Sequence, residues 1–221
     1  MRGYRPMDRR LFLAAGSALL AAPSLARAQA PACTQQVPNS ELVKAGTLTM
    51  SVNPTLPPMQ FVDQQGQLRG MRVDLGNEIA RRLCLTAENV RVEFAAMIPG
   101  LAARRWDMIN TGMFYTEERQ RLMYLVRYEQ QAISVSVPRG NPRNIRRLED
   151  LAGLRVGVEQ GGFEFRRTTD MANDLRARGL APLQVRAFDN FAVSFQALRA
   201  GQLDAAISID STAKEYDDRG E

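Results

Sequence analysis

Hydrophobic and polar residues alternate along this chain in blocks that predict strands followed by helices. Residues 47–52 (TLTMSV) form an apolar run of strand length, whereas residues 71–83 place Val73, Ile79 and Leu83 at roughly helical spacing. Both patterns recur along the rest of the chain, and they predict strands over 90–94 and 106–112 with a short helix over 98–104 between them, which has Pro99 in its first turn. Strands that alternate with helices of about ten residues imply βαβ crossovers and mainly parallel sheets, which predicts an α/β fold.

Residues 138–142 (PRGNP) interrupt the alternation with two prolines and a glycine, which do not fit the interior of a regular element. A strand is predicted just before this segment, over 132–137, and a short helix and a strand follow it over 148–159. We therefore predict two α/β lobes, each with its own sheet. They are assigned to residues 31–137 and 143–221, with 138–142 as the hinge.

Residues 1–30 have the pattern of an export signal. A basic start precedes an apolar run over 11–22, and small residues allow cleavage near Ala28 or Ala30. The apolar run is too short to span a membrane, which takes about 20 residues. Arg9-Arg10 followed by apolar residues resembles the twin-arginine signal, although an ordinary secretory signal fits the same residues. Either signal predicts a mature protein that works in the periplasm.

The positive charge of the chain lies mainly in this signal. The whole sequence has a net charge of +5, and residues 1–28 contribute five arginines against one acid. The remaining chain is close to neutral, so we expect no general affinity for nucleic acid.

The sequence contains little that points to catalysis or to a cofactor. It has no histidine, so no triad or base that depends on histidine is possible. The segment GVEQGG (157–162) lacks the spacing of a dinucleotide-binding turn, and no P-loop is present. Cys33 and Cys84 are too few for a zinc site. In an oxidising compartment they are candidates for one disulfide, and two unpaired thiols, with Cys84 buried in a helix, are the alternative.

The segment TGMFYTEERQ (111–120) ends one predicted strand and opens a helix. Thr116 fits the N-cap position, and Arg119 follows it by three residues. Ligands of open α/β sheets bind outside the carboxyl ends of the strands, where the first N–H groups of a helix are unpaired. The planar guanidinium of Arg119 could bind a carboxylate there. A surface ion pair with Glu117 or another acid explains the same residue equally well.

Five segments of the chain, taken in order, carry a resemblance to a known family. They are LVKAGTLTMSVNPTLPPMQF, GQLRGMRVDLGNEIARRL, IPGLAARRWDMINTGMFYTEERQ, LEDLAGLRVGVEQGG and ALRAGQLDAAISID. This set resembles the amino-acid type of periplasmic solute-binding proteins of ABC importers, bacterial solute-binding protein family 3. The resemblance implies a two-lobed, type II periplasmic-binding-protein-like fold. It also implies a monomer that captures an amino acid or a similar small carboxylate for an ABC permease in the inner membrane.

The resemblance further implies a ligand site, in which Arg119 holds the α-carboxylate and Asp210 the α-ammonium group. The other implied ligand-binding residues are Asn53, Leu56, Thr111, Gly112, Phe114, Thr116, Gln160, Gly161, Gly162 and Phe163. Because Leu56, Met59 and the two phenylalanines offer few polar partners, we expect a ligand with an apolar side chain.

Three positions depart from the pattern of the family. Phe114 and Phe163 replace residues that usually carry a hydroxyl group, and core packing is the alternative to a role in stacking on the ligand. Asp210 follows Asp204 by six residues, whereas the family spacing of five would fall on Ile209. Capping of the helix that follows is the alternative role for Asp210.

The resemblance also leaves the function open. The chain ends where we would expect about 50–60 further residues, which family members use to return to the first lobe. Some relatives resemble cyclohexadienyl or arogenate dehydratases, an activity that would need an acid such as Asp210 or Glu164 near the ligand. A periplasmic sensor or partner module that binds no ligand is the third interpretation.

Overall fold

Strands and helices alternate in the structure as the sequence predicts. The computed structural model describes residues 33–220. The strands are β1 (Thr47–Val52), β2 (Thr55–Leu56), β3 (Gln60–Val62), β4 (Leu68–Arg69), β5 (Thr86–Arg91), β6 (Met108–Ile109), β7 (Ile133–Ser136), β8 (Arg155–Glu159), β9 (Gln184–Phe188) and β10 (Ala205–Ile209). The α-helices are α1 (Met71–Arg82), α2 (Phe94–Ala102), α3 (Glu117–Gln120), α4 (Phe163–Ala177), α5 (Phe191–Arg199) and α6 (Asp210–Asp218). None of these described helices has the length and apolar character needed to cross a membrane.

Three parallel strands form the sheet of the first half of the chain (residues 34–120), in the order β5-β1-β6. Every residue of β1 is buried, and Met50 packs with Ala80 of α1 and with Leu85. The carboxyl ends of parallel strands meet at one edge of a sheet, where open α/β folds bind their ligands. Asn53 after β1 and Thr111 after β6 therefore lie at the same edge.

A small antiparallel sheet, β2-β3-β4, connects β1 to α1. It ends at Gly70, whose φ is +116° and where a Cβ would lie 2.3 Å from the carbonyl oxygen of Met59. A side chain cannot fit in that space, so the tight turn requires glycine. The turn places Gln60 beside Thr111 at the edge of the first sheet, where their side chains share a hydrogen bond.

Four strands form the sheet of the second half of the chain (residues 133–220), in the order β7-β10-β8-β9. Strands β8, β9 and β10 are parallel, whereas β7 is antiparallel to β10. All five residues of β10 are buried, as expected for a strand that is covered on both faces. It contributes to two apolar clusters, one with Phe191 and Phe195 of α5 and the other with Leu175 of α4.

The chain crosses from the first sheet to the second at a different place from the predicted hinge. Strand β7 pairs with β10, with Ile133 opposite Ile209, so the segment 132–137 belongs to the second sheet and not to the first lobe. The chain therefore crosses within residues 121–132, which contain neither helix nor strand. The segment 138–142 forms a turn inside the second half. Its prolines end β7, and they do not mark the passage between the sheets.

Some elements of the first half also have other bounds than predicted. The apolar residues at 90–94 divide between the end of β5 and the start of α2, which begins at Phe94. Pro99 consequently lies inside α2 and not in its first turn. Of the strand predicted over 106–112, only the two residues of β6 pair with β1.

Cys33 and Cys84 are both disulfide-bonded. Cys84 follows the end of α1 with a positive φ of 58°, so it is not a thiol buried within a helix. The structure therefore favours the oxidised state over the two unpaired thiols that the sequence left open.

Candidate functional site

Arg119 lies buried between the two halves of the chain, with 5% of its surface exposed. Its Nη1 donates to the carbonyl oxygen of Phe114 at 2.8 Å, and its Nη2 donates to the carbonyl oxygen of Gly161 at 3.4 Å. The guanidinium carbon also lies 5.5 Å from the ring centre of Phe94, within cation–π range. Burial lowers the pKa of Arg119, and the nearby carboxylate of Glu164 partly opposes this shift. A buried cation whose hydrogen-bond partners are neutral suits an anionic ligand.

The helix that carries Arg119 is a single turn. The predicted N-cap is confirmed, since Oγ1 of Thr116 accepts from the N–H of Arg119 at 3.1 Å. Because α3 has only four residues, it has little macrodipole to disfavour a cation. A surface ion pair does form at this helix, but Arg119 does not take part in it. Glu118 makes it, with Arg166 of the second half at 2.9 Å. Within residues 33–220, Arg119 has no acid within 4 Å, so the alternative of an ion pair with Glu117 does not hold.

The strand end at Thr111 and Gly112 is fixed by two side chains. Nε2 of Gln60 donates to Oγ1 of Thr111 at 2.8 Å and to the carbonyl oxygen of Asn53 at 2.6 Å. A Cβ on Gly112 would lie 2.1 Å from Nη2 of Arg72, so the glycine is needed for this close approach. The sequence singled out both residues of the strand end but not the two side chains that hold them.

Arg72 is fully buried and has an acid for a partner. Its Nε donates to Oε1 of Glu129 at 2.9 Å, its Nη2 pairs with the same carboxylate, and its Nη1 donates to Oε1 of Gln60 at 3.3 Å. Sequence reasoning missed this residue because it stands in a helix with several charged residues. The available signal was its spacing, since Arg72, Gly76 and Ala80 share the buried face of α1.

Asn53 joins the two halves through Glu159. Its Nδ2 donates to Oε1 of Glu159 at 2.7 Å, and its Oδ1 accepts from Oγ1 of Thr55 at 2.7 Å. Both Asn53 and Glu159 are buried. Burial raises the pKa of Glu159 well above its usual value, the Glu164 and Glu93 carboxylates raise it further, and the hydrogen bond from Asn53 opposes this shift. Glu159 is a second residue that the sequence did not reveal, because it occupies the end of an apolar strand.

The turn from β8 into α4 leads to Glu164, whose charge interacts with that of Arg119 from beyond 4 Å. Gly161 has a φ of +78°, and a Cβ there would lie 3.2 Å from the Cβ of Ala95 in the first half. Its carbonyl oxygen, and not an N–H group, points to Arg119. Gly162 precedes α4, and a Cβ on it would lie 2.5 Å from Oε2 of Glu164. Burial raises the pKa of Glu164, while a hydrogen bond from its own backbone and the charge of Arg119 lower it.

The apolar candidates pack against each other. The rings of Phe114 and Phe163 face across the two halves with centroids 5.0 Å apart. Leu56 is buried in a cluster with Phe191 and Phe195, and Phe114 packs against that cluster. Core packing, the alternative to ligand stacking, accounts for the contacts of Leu56 and of Phe114 with this cluster. Phe163 is half-buried and contacts Phe114 without belonging to that cluster.

The contacts of Asp210 lie at the start of α6 and not at Arg119. Its carboxylate accepts from the N–H groups of Ala132 and Ser211 at 3.2 and 3.0 Å, and its own N–H donates to the carbonyl oxygen of Ala132 at 2.9 Å. It lines a separate cavity of about 650 Å³ between β7, α5 and α6. The capping role that the sequence offered as the alternative to ammonium binding is not the observed one, because Ile209 occupies the N-cap position, Asp210 is the first residue of α6, and no side-chain capping hydrogen bond forms.

Five residues form what we call the polar cluster: Asn53, Thr111, Arg119, Glu159 and Glu164. They are linked through Gln60 and through the contacts between the two halves. A cavity of about 530 Å³, lined by residues 112–115 and 125–131, adjoins the strand end. Its volume suits a small ligand, but none of the five residues of the polar cluster lines it. Within residues 33–220, no three His, Cys, Asp or Glu side chains are arranged to hold a metal ion.

Comparisons with known proteins agree on one family. The model of the bacterial extracellular solute-binding proteins, family 3, matches residues 48–172. The L-cystine-binding protein TcyJ of Escherichia coli (strain K12) is 27% identical over 169 residues, which cover 76% of this chain and 60% of that protein. The chain thus spans about three fifths of the length of this curated relative.

Solved structures give the same fold. An ancestral arginine-binding protein bound to arginine is 33% identical, with a TM-score of 0.73 over 79% of this chain and 74% of the other. The ancestral amino acid-binding protein AncCDT-1, a precursor of cyclohexadienyl dehydratase, is 25% identical, with a TM-score of 0.72 over 79% of this chain and 75% of the other. These similarities identify the fold as the two-lobed type II periplasmic-binding-protein fold.

Proposed function

Since the chain belongs to the bacterial extracellular solute-binding proteins, family 3, we propose that it binds an amino acid in the periplasm and delivers it to an ABC permease. The observation that carries this proposal is the environment of Arg119. Its guanidinium is buried where the two halves meet, and it donates to neutral carbonyl groups from both. A ligand carboxylate is the partner that this cation lacks.

Arg119 would bind the α-carboxylate in a site from which closure removes water. Hydrogen bonds to a charged group contribute about 1.5–3 kcal/mol, and a low local dielectric strengthens them further. The carbonyl groups of Phe114 and Gly161 accept hydrogen bonds from the guanidinium and hold it in position for the ligand. The α-ammonium group would bind to the carboxylates of Glu159 and Glu164, because Asp210 is engaged elsewhere.

Closure would form the contacts that join the two halves. Asn53 bonds to Glu159, Glu118 pairs with Arg166, and Phe114 meets Phe163. In our proposal the segment 121–132 is the hinge, since it links the two sheets without regular structure. The closed monomer would present the surface that the permease recognises, and binding alone, without catalysis, would complete the task.

One observation favours an enzyme as the second candidate. Glu164 is buried beside Arg119, and its pKa is raised by that burial. A buried carboxylic acid with a raised pKa is a better proton donor, and it can protonate a leaving hydroxyl group. A dehydratase that holds a dicarboxylate through Arg119 would use Glu164 in this way, and AncCDT-1 is itself described as a dehydratase precursor.

A thermal-shift screen of the purified protein tests the proposal against this second candidate. The ligands are the twenty common amino acids and prephenate, and the variants are Arg119→Ala and, as a matched control, the exposed Arg121→Ala. At about 100 times its dissociation constant, a ligand should stabilise the wild type and the control by about 2.7 kcal/mol. The Arg119→Ala variant should lose most of this shift.

Two outcomes would contradict the proposal. If no amino acid stabilises the wild type, the chain is not a receptor for them, as expected of a sensor or partner module. If the protein converts prephenate to a product, the dehydratase interpretation replaces the receptor.

A further inference from the structure

Glu159 and Glu164 differ from the other buried ionisable residues of the second half. Asp204 is also buried, but Arg155 lies 3.0 Å from its carboxylate. Glu159 is 2% exposed and Glu164 is 5% exposed, and within residues 33–220 neither has a basic group within 4 Å. A buried carboxylate without a cation is unfavourable, so a binding partner of opposite charge is to be expected for both.

The polar cluster carries more negative than positive groups. Arg119 supplies one positive charge and the two glutamates supply two negative charges, which leaves a net charge of −1 when all three are ionised. Nearby groups do not correct this imbalance. Glu93, which accepts from Nδ2 of Asn190 at 3.2 Å, is a further acid, and Arg166 is already paired with Glu118.

We propose that the ligand is an amino acid with a positively charged side chain, and that Glu159 and Glu164 select it. This inference rests on the proposed function. A zwitterionic amino acid brings no net charge and would leave the closed site at −1. A cationic amino acid brings +1, and its two cationic groups match the two carboxylates while Arg119 holds the α-carboxylate.

The other buried cation nearby does not oppose such a ligand. Arg72 lies against Gly112 at the strand end, but Glu129 neutralises it through two donors of the guanidinium. The expectation of an apolar side chain rested in part on Leu56 and Phe114. Both pack against one apolar cluster, so these side chains have partners without a ligand.

Protonation offers the unliganded site another way to remove the excess charge. Burial raises the pKa of both glutamates, and each carboxylate also feels the other charges of the cluster. A cation that binds between them favours their ionised forms and lowers both pKa values, so its binding should release protons and strengthen as the pH rises through the raised pKa values. A neutral ligand should show neither effect.

Isothermal titration with two matched ligand pairs tests the proposal. L-Arginine is compared with L-citrulline, which has almost the same shape and a neutral side chain, and L-lysine is compared with L-norleucine. We expect each cationic ligand to bind the purified wild-type protein on the order of tenfold to a hundredfold more tightly than its neutral partner. Titration in buffers with different ionisation enthalpies should show proton release for the cationic ligands only.

Isosteric variants assign the effect to the two glutamates. Glu159→Gln and Glu164→Gln keep the shape of the side chain and remove its charge, so each should reduce the ratio between L-arginine and L-citrulline. Glu117→Gln, an exposed glutamate near Arg119 in sequence, serves as the control and should leave the ratio unchanged. The affinity for L-citrulline, measured in each variant, shows whether the site still forms.

The outcomes separate this inference from the proposed function. If L-citrulline or L-norleucine binds as tightly as its cationic partner, or if both Gln variants keep the wild-type ratio, the inference is wrong while the receptor function stands. If no amino acid of any charge binds, the receptor function fails and the inference falls with it.

Discussion

Gly161 provides the sharpest test of how the two halves meet. In the structure it has a φ of +78°, and a Cβ placed on it would lie 3.2 Å from the Cβ of Ala95 and 3.3 Å from its Cα. Ala95 belongs to the first half of the chain and Gly161 to the second. Gly161→Ala should therefore weaken closure, and thereby ligand binding.

The size of the effect follows from two separate costs. An L-residue in the left-handed region costs about 1–2 kcal/mol, and this cost is the same whether the halves are apart or together. The crowding against Ala95 arises only when they meet, and mild overpacking costs about 1 kcal/mol or more. The ligand should consequently bind about fivefold more weakly, since 1 kcal/mol corresponds to a factor of about 5.

Gly179→Ala is the matched control for this variant. Gly179 also lies in the second half with a φ of +75°, but nothing approaches its Cβ position within 4 Å. Both variants should lose similar stability in urea denaturation, whereas only Gly161→Ala should lose affinity in isothermal titration. The double variant Ala95→Gly/Gly161→Ala should recover that affinity. Equal affinities for the two single variants would refute the closed arrangement of Gly161 against Ala95.

Two further predictions concern buried charges. The pKa of Glu159 is raised above its ordinary value of 4.5 in the folded state. The stabilisation that Glu159 contributes is therefore complete below pH 4.5, and it is lost as the pH rises through the raised pKa. In urea denaturation, Glu159→Gln should thus be more stable than the wild type by about 1–3 kcal/mol near pH 8, and this difference in unfolding free energy should shrink toward pH 4. A difference that does not change with pH would contradict this prediction. Arg72→Met should destabilise the protein by about 3–5 kcal/mol, because Glu129 loses its buried partner, and Arg72→Met/Glu129→Gln should recover part of the loss. A loss below about 1 kcal/mol for the single variant would show that the pair is not needed for the fold.

Elements with a strong local pattern could be predicted from the sequence. The predicted strand at 47–52 matches β1, and the helix predicted over 71–83 matches α1, which ends at Arg82. Thr116 was identifiable as an N-cap because the hydrogen bond that defines a cap spans only three residues. Such features depend on neighbours along the chain, so the sequence contains the information that determines them.

The contacts that define the candidate site join residues far apart in the sequence, so local patterns do not reveal them. Asn53 and Glu159 are separated by 106 residues, and nothing near Glu159 distinguishes it from another residue of a buried strand. The crossing between the sheets was misplaced for a related reason. Prolines mark a local break at 138–142, but the pairing of β7 with β10 is a long-range property, and it assigns the segment before the prolines to the second sheet.

The central claim is that Arg119 holds the α-carboxylate of the ligand. The most direct measurement is isothermal titration of wild type and Arg119→Met with two ligands, the amino acid that binds the wild type best and the α-carboxamide of that amino acid. Removing the carboxylate charge should weaken binding to the wild type about tenfold to a hundredfold, and should change binding to Arg119→Met by less than about threefold. An equal loss in both proteins would show that the carboxylate binds elsewhere.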